Sequence, residues 1–185
     1  MNMDQNWRLR LSVLATLVQR SQVKPGRTAL MKFAYLLQTA RGVPLGYRFE
    51  LYNYGPYDGT VLSDISQAMT LKAIKSETVH YPSGLGYEYS SGEGHTALCS
   101  RVKDQLEKFE NDIEWIVDHF GRESAAKLEL ISTIVFAERE MKRKRQRCSR
   151  DVLSMRVKRI KPHFDEATIV KSIDDIAANG LIAVE

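Results

Sequence analysis

The sequence predicts a mainly α, α+β fold, in which one helical domain carries a small antiparallel β-sheet. Three observations lead to this prediction. Apolar residues recur three and four positions apart through most of the chain, an aromatic-rich run of alternating polarity spans residues 47–54, and Gly or Pro residues separate the segments. With 185 residues and 43% hydrophobic content the chain can bury one core, and we expect a single domain over residues 1–185.

The front of the chain, residues 1–95, has the element order of a winged helix, in which three helices pack beside a small sheet and a β-hairpin forms the wing. Gly55-Pro56 would end the first strand, and Asp58 or Thr60 can cap the third helix. That helix would occupy the DNA-recognition position, but its exposed residues include no Lys or Arg, which argues against DNA binding there. The predicted elements are helices at 7–20, 29–40 and 60–71, a strand at 47–54, and a hairpin of strands at 74–81 and 87–90 around a turn from Pro82 to Gly86.

The back of the chain, residues 96–185, is predicted to be a helical bundle. The segment 102–120 has the most regular apolar stripe in the sequence, and we expect one continuous helix that packs antiparallel to the next. The same stripe could secondarily form a dimer seam, so a homo-oligomer is possible. Asp165 can cap the last helix, which Asn179-Gly180 would end. The other predicted helices span 124–140 and 151–160.

Charge is distributed unevenly, although the whole chain carries a net charge of only +4. Residues 138–161 contain eleven Lys or Arg and three acidic residues, so this stretch carries +8 and the remainder −4. Within the basic segment, residues 139–161, six side chains could lie along a nucleic-acid phosphate backbone. Two other interpretations stay open, namely a solvated connector between two helices and a clamp for the acidic helix face at 107–118 of the same or a neighbouring chain. The six residues, named the basic tract below, are Lys142, Arg143, Lys144, Arg145, Arg147 and Arg150.

Tyrosines cluster around the predicted strand at 47–54. Tyr52 and Tyr54 alternate with Phe49 and Leu51 and therefore lie on the opposite strand face. Aromatic side chains with a polar tip are typical of protein interfaces, which makes Tyr52, Tyr54 and Tyr57 candidate partner-binding residues. The alternative, which we favour from the pattern alone, is that these tyrosines and Tyr47 cover the helical core.

No catalytic, metal or cofactor site can be assembled from residue spacing. The four His residues lie outside H-E-x-x-H and nucleophile-elbow contexts, and Cys99 and Cys148 lack C-x-x-C or zinc-type spacing, so we expect two reduced thiols. No apolar run approaches the roughly 18 residues of a membrane span, and residues 1–10 do not have the pattern of a secretory signal. The expected location is cytoplasmic, with no membrane contact.

Four stretches occur in an order that resembles the Panacea antitoxin-like superfamily and its YwgA-like bacterial members. They are MKFAYLLQ, GVPLGYRFELYNYGPYDGTVLSDI, KLELISTIVFAERE and VKRIKPHFDEATIVKSIDDIAANGLI, which together span roughly Leu14 to Ile182 with their surroundings. The aromatic strand that runs into Gly55-Pro56 is the most specific part. The resemblance implies a compact, mainly helical protein of bacterial or phage origin, often an antitoxin-like partner encoded beside a toxin or defence component, and it implies no catalysis.

We interpret the chain as a non-enzymatic protein-interaction module whose partner is a toxin or defence component, with a basic segment that could also contact nucleic acid. The first alternative is a DNA-binding transcriptional regulator. The second, less favoured, is a nucleic-acid-processing enzyme.

Overall fold

The computed structural model describes residues 3–81 and 84–184 and confirms the mainly α, α+β class. A 3₁₀ turn spans Glu107–Phe109. The elements are α1 (Met3–Arg20), α2 (Arg27–Ala40), β1 (Glu50–Tyr52), β2 (Gly55–Tyr57), α3 (Gly59–Thr70), β3 (Ile74–Tyr81), β4 (Gly84–Ser91), α4 (His95–Ser100), α5 (Lys103–Leu106), α6 (Glu110–Phe120), α7 (Ala125–Arg143), α8 (Arg150–Ile160) and α9 (Glu166–Ala178).

The core is organised around α2. Every residue from Leu30 to Leu37 is buried, and α2 contacts α1, α3, α6, α7 and both hairpins. A helix that is apolar on all sides has to be enclosed by other elements, and the one charged residue in this run is Lys32. A single cluster of buried apolar side chains runs from Leu9 to Ile182, so the predicted front and back parts of the chain share one core.

Helix ends follow the local chemistry of the sequence. Asp58 caps α3 by accepting a hydrogen bond from the Thr60 amide, and Asp165 caps α9 by accepting one from the Thr168 amide. Gly180 follows α9 with φ of +71°, the left-handed conformation predicted for Asn179-Gly180. Leu181 and Ile182 then return to the core, where both are buried.

The single strand predicted at 47–54 is wrong. The chain forms β1 over only three residues, turns at Asn53 and Tyr54, and returns as β2, with Glu50 opposite Tyr57, Leu51 opposite Pro56, and Tyr52 opposite Gly55. Gly55 and Pro56 therefore form a strand rather than end one. Both strands of a two-stranded sheet are edge strands, and proline is tolerated at an edge.

The predicted wing forms as a second, separate hairpin. Strand β3 has the predicted bounds, and β4 is longer than predicted because Gly84 to Gly86 belong to the strand; Pro82 and Ser83 of the predicted turn lie outside the described residues. The Tyr89 amide donates to the Pro25 carbonyl oxygen, which ties β4 to the segment before α2. Since β1 pairs with β2 and not with this hairpin, the described residues of the front part keep the element order of a winged helix without forming a three-stranded sheet.

The continuous helix predicted at 102–120 is also wrong. The chain forms α4, α5 and the 3₁₀ turn before α6 begins at Glu110. Residues 103–105 and 107–108 are polar, so half-buried Leu106 is the one apolar side chain between 103 and 108. The breaks allow α4, α5 and α6 each to contact α1. The predicted antiparallel pairing of α6 with α7 does not hold either, because α6 packs on α1 and α2 whereas α7 packs on α2, β2, α8 and α9.

No helix within residues 3–81 and 84–184 combines the length and the apolar character that crossing a bilayer requires.

Candidate functional site

Of the four tyrosines at positions 47–57, three are exposed on the β1–β2 hairpin, which we call the tyrosine hairpin (residues 50–57). Tyr52 is 65% exposed, Tyr54 71% and Tyr57 40%. The Tyr52 and Tyr57 rings lie with their centroids 5.8 Å apart across the two strands. These three side chains do not cover the core, so that interpretation holds for Tyr47 alone.

Tyr47 is 5% exposed and fastens the segment that leads into the hairpin. Its hydroxyl donates to Asp64 Oδ2 at 2.8 Å, and the Arg10 Nε also donates to this oxygen, at 2.7 Å. Burial, reinforced by the Asp64 carboxylate, raises the pKa of the Tyr47 hydroxyl far above its usual value. The Tyr47 backbone amide and carbonyl both bond the side chain of Gln38, each at 2.8 Å.

A buried charge cluster of Lys32, Glu129 and Lys161 lies beneath the tyrosine hairpin. Lys32 Nζ donates to the Pro56 carbonyl oxygen at 2.8 Å, and Lys161 Nζ donates to the Asn53 carbonyl oxygen. Lys161 Nζ also lies 2.6 Å from Glu129 Oε1, a close ion pair that lacks hydrogen-bond alignment. The three residues are between 2% and 8% exposed. Each lysine therefore binds a main-chain carbonyl of the hairpin, one in the turn and one in β2.

The electrostatics of this cluster are unusual for lysines. Desolvation lowers the pKa of Lys32 from 10.5 to about 8; the nearby Lys161 acts in the same direction and Glu129 opposes it. Glu129 is one carboxylate beside two buried lysines. The carbonyl oxygens of the hairpin therefore accept hydrogen bonds that water would accept from an exposed lysine. His163 extends the cluster toward the surface, with Nε2 3.6 Å from Glu129 Oε1.

The hairpin also rests directly on α7 at Gly55. This residue has φ of +84°, and a Cβ there would lie 3.0 Å from Thr133 Oγ1 and 3.2 Å from Ser132 Oγ. A side chain at position 55 would therefore be strained by the backbone conformation and crowded by α7. The tyrosine hairpin is thus fixed to α2 through Lys32, to α7 through Gly55, and to the end of α8 through Lys161.

The basic tract lies at the opposite end of α8. Lys142 and Arg143 are in the last turn of α7, Lys144, Arg145 and Arg147 are in the connection to α8, and Arg150 begins α8. All six side chains are exposed. Since α8 has 11 residues, about 16 Å of helix separates Arg150 from the end of α8 where Lys161 binds the hairpin. The structure therefore places Arg150 away from the tyrosine hairpin.

Carboxylates of α7 and α9 pair with much of the basic tract. Lys142 lies 2.5 Å from buried Glu138, Arg143 and Lys144 both pair with Glu140, and Arg150 lies 2.5 Å from Asp174. The alternative interpretation of the tract as a clamp on the acidic face at 107–118 of the same chain does not hold for these four cations. Two acidic residues of that face pair instead with the last arginine of α1 and with the arginine that follows α2, in the contacts Arg20–Glu110 and Arg41–Asp112.

Sequence reasoning missed the buried charge cluster and one side-chain pair. A lysine inside the apolar run 30–37 was a readable signal for Lys32. His95 precedes Cys99 by one helical turn on α4, which places Nε2 3.6 Å from Sγ. This four-residue spacing was the readable signal for the pair. Across residues 3–81 and 84–184, His, Cys, Asp and Glu do not form a group of three or more suited to a metal ion.

Comparison with known proteins adds no assignment. No protein-family model matches the chain. No curated protein matches its sequence.

Proposed function

We propose that this protein is a cytoplasmic, non-enzymatic interaction module of the antitoxin-like type, whose tyrosine hairpin binds a toxin or defence component. The observation that carries the proposal is that Tyr52, Tyr54 and Tyr57 are exposed on a hairpin whose backbone is held by buried charges. Exposed tyrosines on a fixed backbone lose little conformational entropy when a partner covers them, and this favours binding.

The resemblance to the Panacea antitoxin-like superfamily supports the same conclusion, because the segment that carries it most specifically contains these tyrosines. The anchoring supports it as well. Burying two lysines and one carboxylate is costly unless every charge finds partners, and here the partners include two main-chain carbonyls of the hairpin. A turn that served only to connect two helices would not require such an arrangement.

Capture of a tagged toxin or defence protein encoded beside this chain's gene tests the proposal. The double variant Tyr52→Ala/Tyr54→Ala should lose the partner while its circular dichroism spectrum and unfolding midpoint stay close to those of the wild type. The matched control is Tyr81→Ala/Tyr87→Ala on the β3–β4 hairpin, where the two side chains are 43% and 41% exposed. Retained binding in the first variant, or equal loss in both, would contradict the assignment of the surface.

A DNA-binding regulator is the second candidate, favoured by six exposed cations within nine residues. The carboxylates that pair with Lys142, Arg143, Lys144 and Arg150 reduce the positive charge available to phosphates. If the basic tract binds duplex DNA, affinity should be measurable at low salt, fall steeply as salt rises, and disappear when all six residues are replaced by Ala. Binding that survives this replacement would exclude the tract as the contact.

A further inference from the structure

A cavity of about 330 Å³ opens between α1 and the short helices that replace the predicted continuous helix. Residues of α1 form one wall, and α4, α5 and the start of α6 form the other. Leu106 and Ile113 contribute apolar surface, while Thr16, His95 and Cys99 contribute the polar groups nearest to one another. The breaks near Val102 and Phe109 therefore create a concave site that a straight helix would not leave.

Three polar side chains of this cavity form one connected set. The Thr16 hydroxyl lies 3.7 Å from Cys99 Sγ, and His95 Nε2 lies 3.6 Å from the same sulfur. Burial raises the pKa of the Cys99 thiol and lowers the pKa of the His95 imidazole. Both groups are consequently neutral near pH 7, so each can donate or accept a hydrogen bond as an uncharged group.

The charged side chains of the described cavity lining are already paired with one another. Arg20 contacts Glu110, and Lys103 lies 3.7 Å from Glu107. Two cations and two carboxylates cancel at the rim, so an ionic ligand would find no surplus of opposite charge. A neutral ligand is favoured on this ground, since mainly apolar walls with a few polar groups are typical of small-molecule sites.

The volume limits the size of the ligand. An engineered apolar cavity of about 150 Å³ accommodates benzene. A space of about 330 Å³ is roughly twice as large and is at the lower end of the range for small-molecule pockets. The cavity volume therefore suits a molecule of two fused rings.

We propose that the cavity binds a small, uncharged and mainly apolar molecule of about the size of a fused two-ring aromatic, with one hydrogen-bonding group near Thr16, His95 and Cys99. This site is distinct from the tyrosine hairpin and does not depend on the function proposed above.

Alkylation of Cys99 in the full chain reports on occupancy, with indole as the probe and iodoacetamide as the reagent at pH 8.5. Peptide mass spectrometry separates Cys99 from Cys148, which is 5% exposed and serves as the internal control. At an indole concentration four times the half-protecting value, alkylation of Cys99 should slow about fivefold while Cys148 is unaffected. No protection up to the solubility limit of indole would overturn the proposal.

Variants at the mouth of the cavity locate the bound probe. Thr96 and Ser100 are exposed residues of α4 that line the cavity, so Thr96→Trp or Ser100→Trp should fill it without disturbing the core and should abolish protection by indole. Ala97 is exposed on the same helix and is not part of the described lining, which makes Ala97→Trp the matched control with protection intact. Equal slowing at Cys99 and Cys148, or protection that persists in both mouth variants, would place indole elsewhere and reject the site.

Discussion

The two hairpins of this protein present tyrosines in different ways. In the tyrosine hairpin the strands have only three residues each, and buried lysines hold the turn and β2 from below. In the β3–β4 hairpin the strands have eight residues each, and inter-strand bonds and the buried base at Ile74 and Tyr89 provide the support. Tyr81 and Tyr87 are nevertheless about as exposed as Tyr57.

This contrast shows that exposure alone does not distinguish a candidate interface. A two-stranded hairpin of three-residue strands is not stable by itself. Its conformation here depends on side chains from α2, α7 and the end of α8, which converge on its main chain. The β3–β4 hairpin depends on its own ladder and on the buried base at Ile74 and Tyr89. Changes at the buried charge cluster should therefore affect the tyrosine hairpin and the whole fold far more than equivalent changes at β3–β4.

The largest expected effect is that of Glu129→Gln. Removing the carboxylate leaves Lys32 and Lys161 buried without an anion, which should cost about 3–5 kcal/mol in the free energy of unfolding at pH 7. Urea denaturation measures this loss. The control is Glu77→Gln on β3, whose ion pair with Lys24 is exposed and should contribute little. Similar losses in both variants would remove the proposed difference between the hairpins.

Gly55→Ala should have the next largest effect. The new Cβ would meet Thr133 and Ser132 in a backbone conformation that alanine rarely adopts, with an expected cost of about 2–3 kcal/mol. Gly84 in β4 also has positive φ, at +121°, but among the described residues no atom beyond its chain neighbours lies within 4 Å of the position that a Cβ would take. Gly84→Ala should therefore cost only the backbone strain, about 1 kcal/mol. Equal costs in denaturation experiments would show that α7 does not restrain the hairpin.

The pKa of Lys32 predicts a pH dependence of stability. Because this pKa is lowered to about 8 in the folded protein and is near 10.5 when unfolded, the unfolded chain binds more protons between these values. The contribution of Lys32 to stability is therefore lost as pH falls through 8 and recovered as pH rises. Relative to Lys32→Met, the wild type should gain about 2 kcal/mol between pH 7.5 and 9.5.

Urea titrations of both proteins across this range provide the measurement. Lys24 on the other hairpin is the comparison, since its pKa is raised by hydrogen bonding to Glu77 rather than lowered. Lys24→Met should therefore keep the wild-type rise in stability across this pH window, whereas Lys32→Met should lose it. A wild-type curve parallel to that of Lys32→Met would show that Lys32 titrates normally.

The sequence predicted most of the helices well because each carries its own apolar periodicity. The third helix with its Asp58 cap and strand β3 are confirmed close to their predicted bounds. The sequence did not predict β2, because Gly55-Pro56 ordinarily ends a strand. These residues form a strand here through contacts with α7 and Lys32. The break of the segment 102–120 was missed for a similar reason, since its apolar spacing is helical and only the packing of each piece on α1 divides it.

The residues of the candidate site were likewise predicted only in part. Sequence chemistry identified Tyr52, Tyr54 and Tyr57 as interface residues but favoured a role over the core, because alternation in a short strand does not reveal which face is covered. The residues that fix the hairpin are 24 to 108 positions away from the carbonyls they bind, as the contacts Lys32–Pro56 and Asn53–Lys161 show. Only Lys32, a charge within an apolar run, gave a local signal.

The smallest expected effect separates the buried tyrosine from the exposed ones. Tyr47→Phe removes a hydrogen bond to the Asp64 carboxylate, which is 1% exposed, and should cost about 1.5 kcal/mol because the acceptor is charged. Tyr52→Phe removes a hydroxyl from a side chain that is 65% exposed and should change the unfolding free energy by less than about 0.5 kcal/mol. Thermal and urea denaturation of the two variants should therefore differ clearly. If Tyr52→Phe proved as costly as Tyr47→Phe, the Tyr52 hydroxyl would have to serve the fold, and the hairpin would lose its distinction as a surface available to a partner.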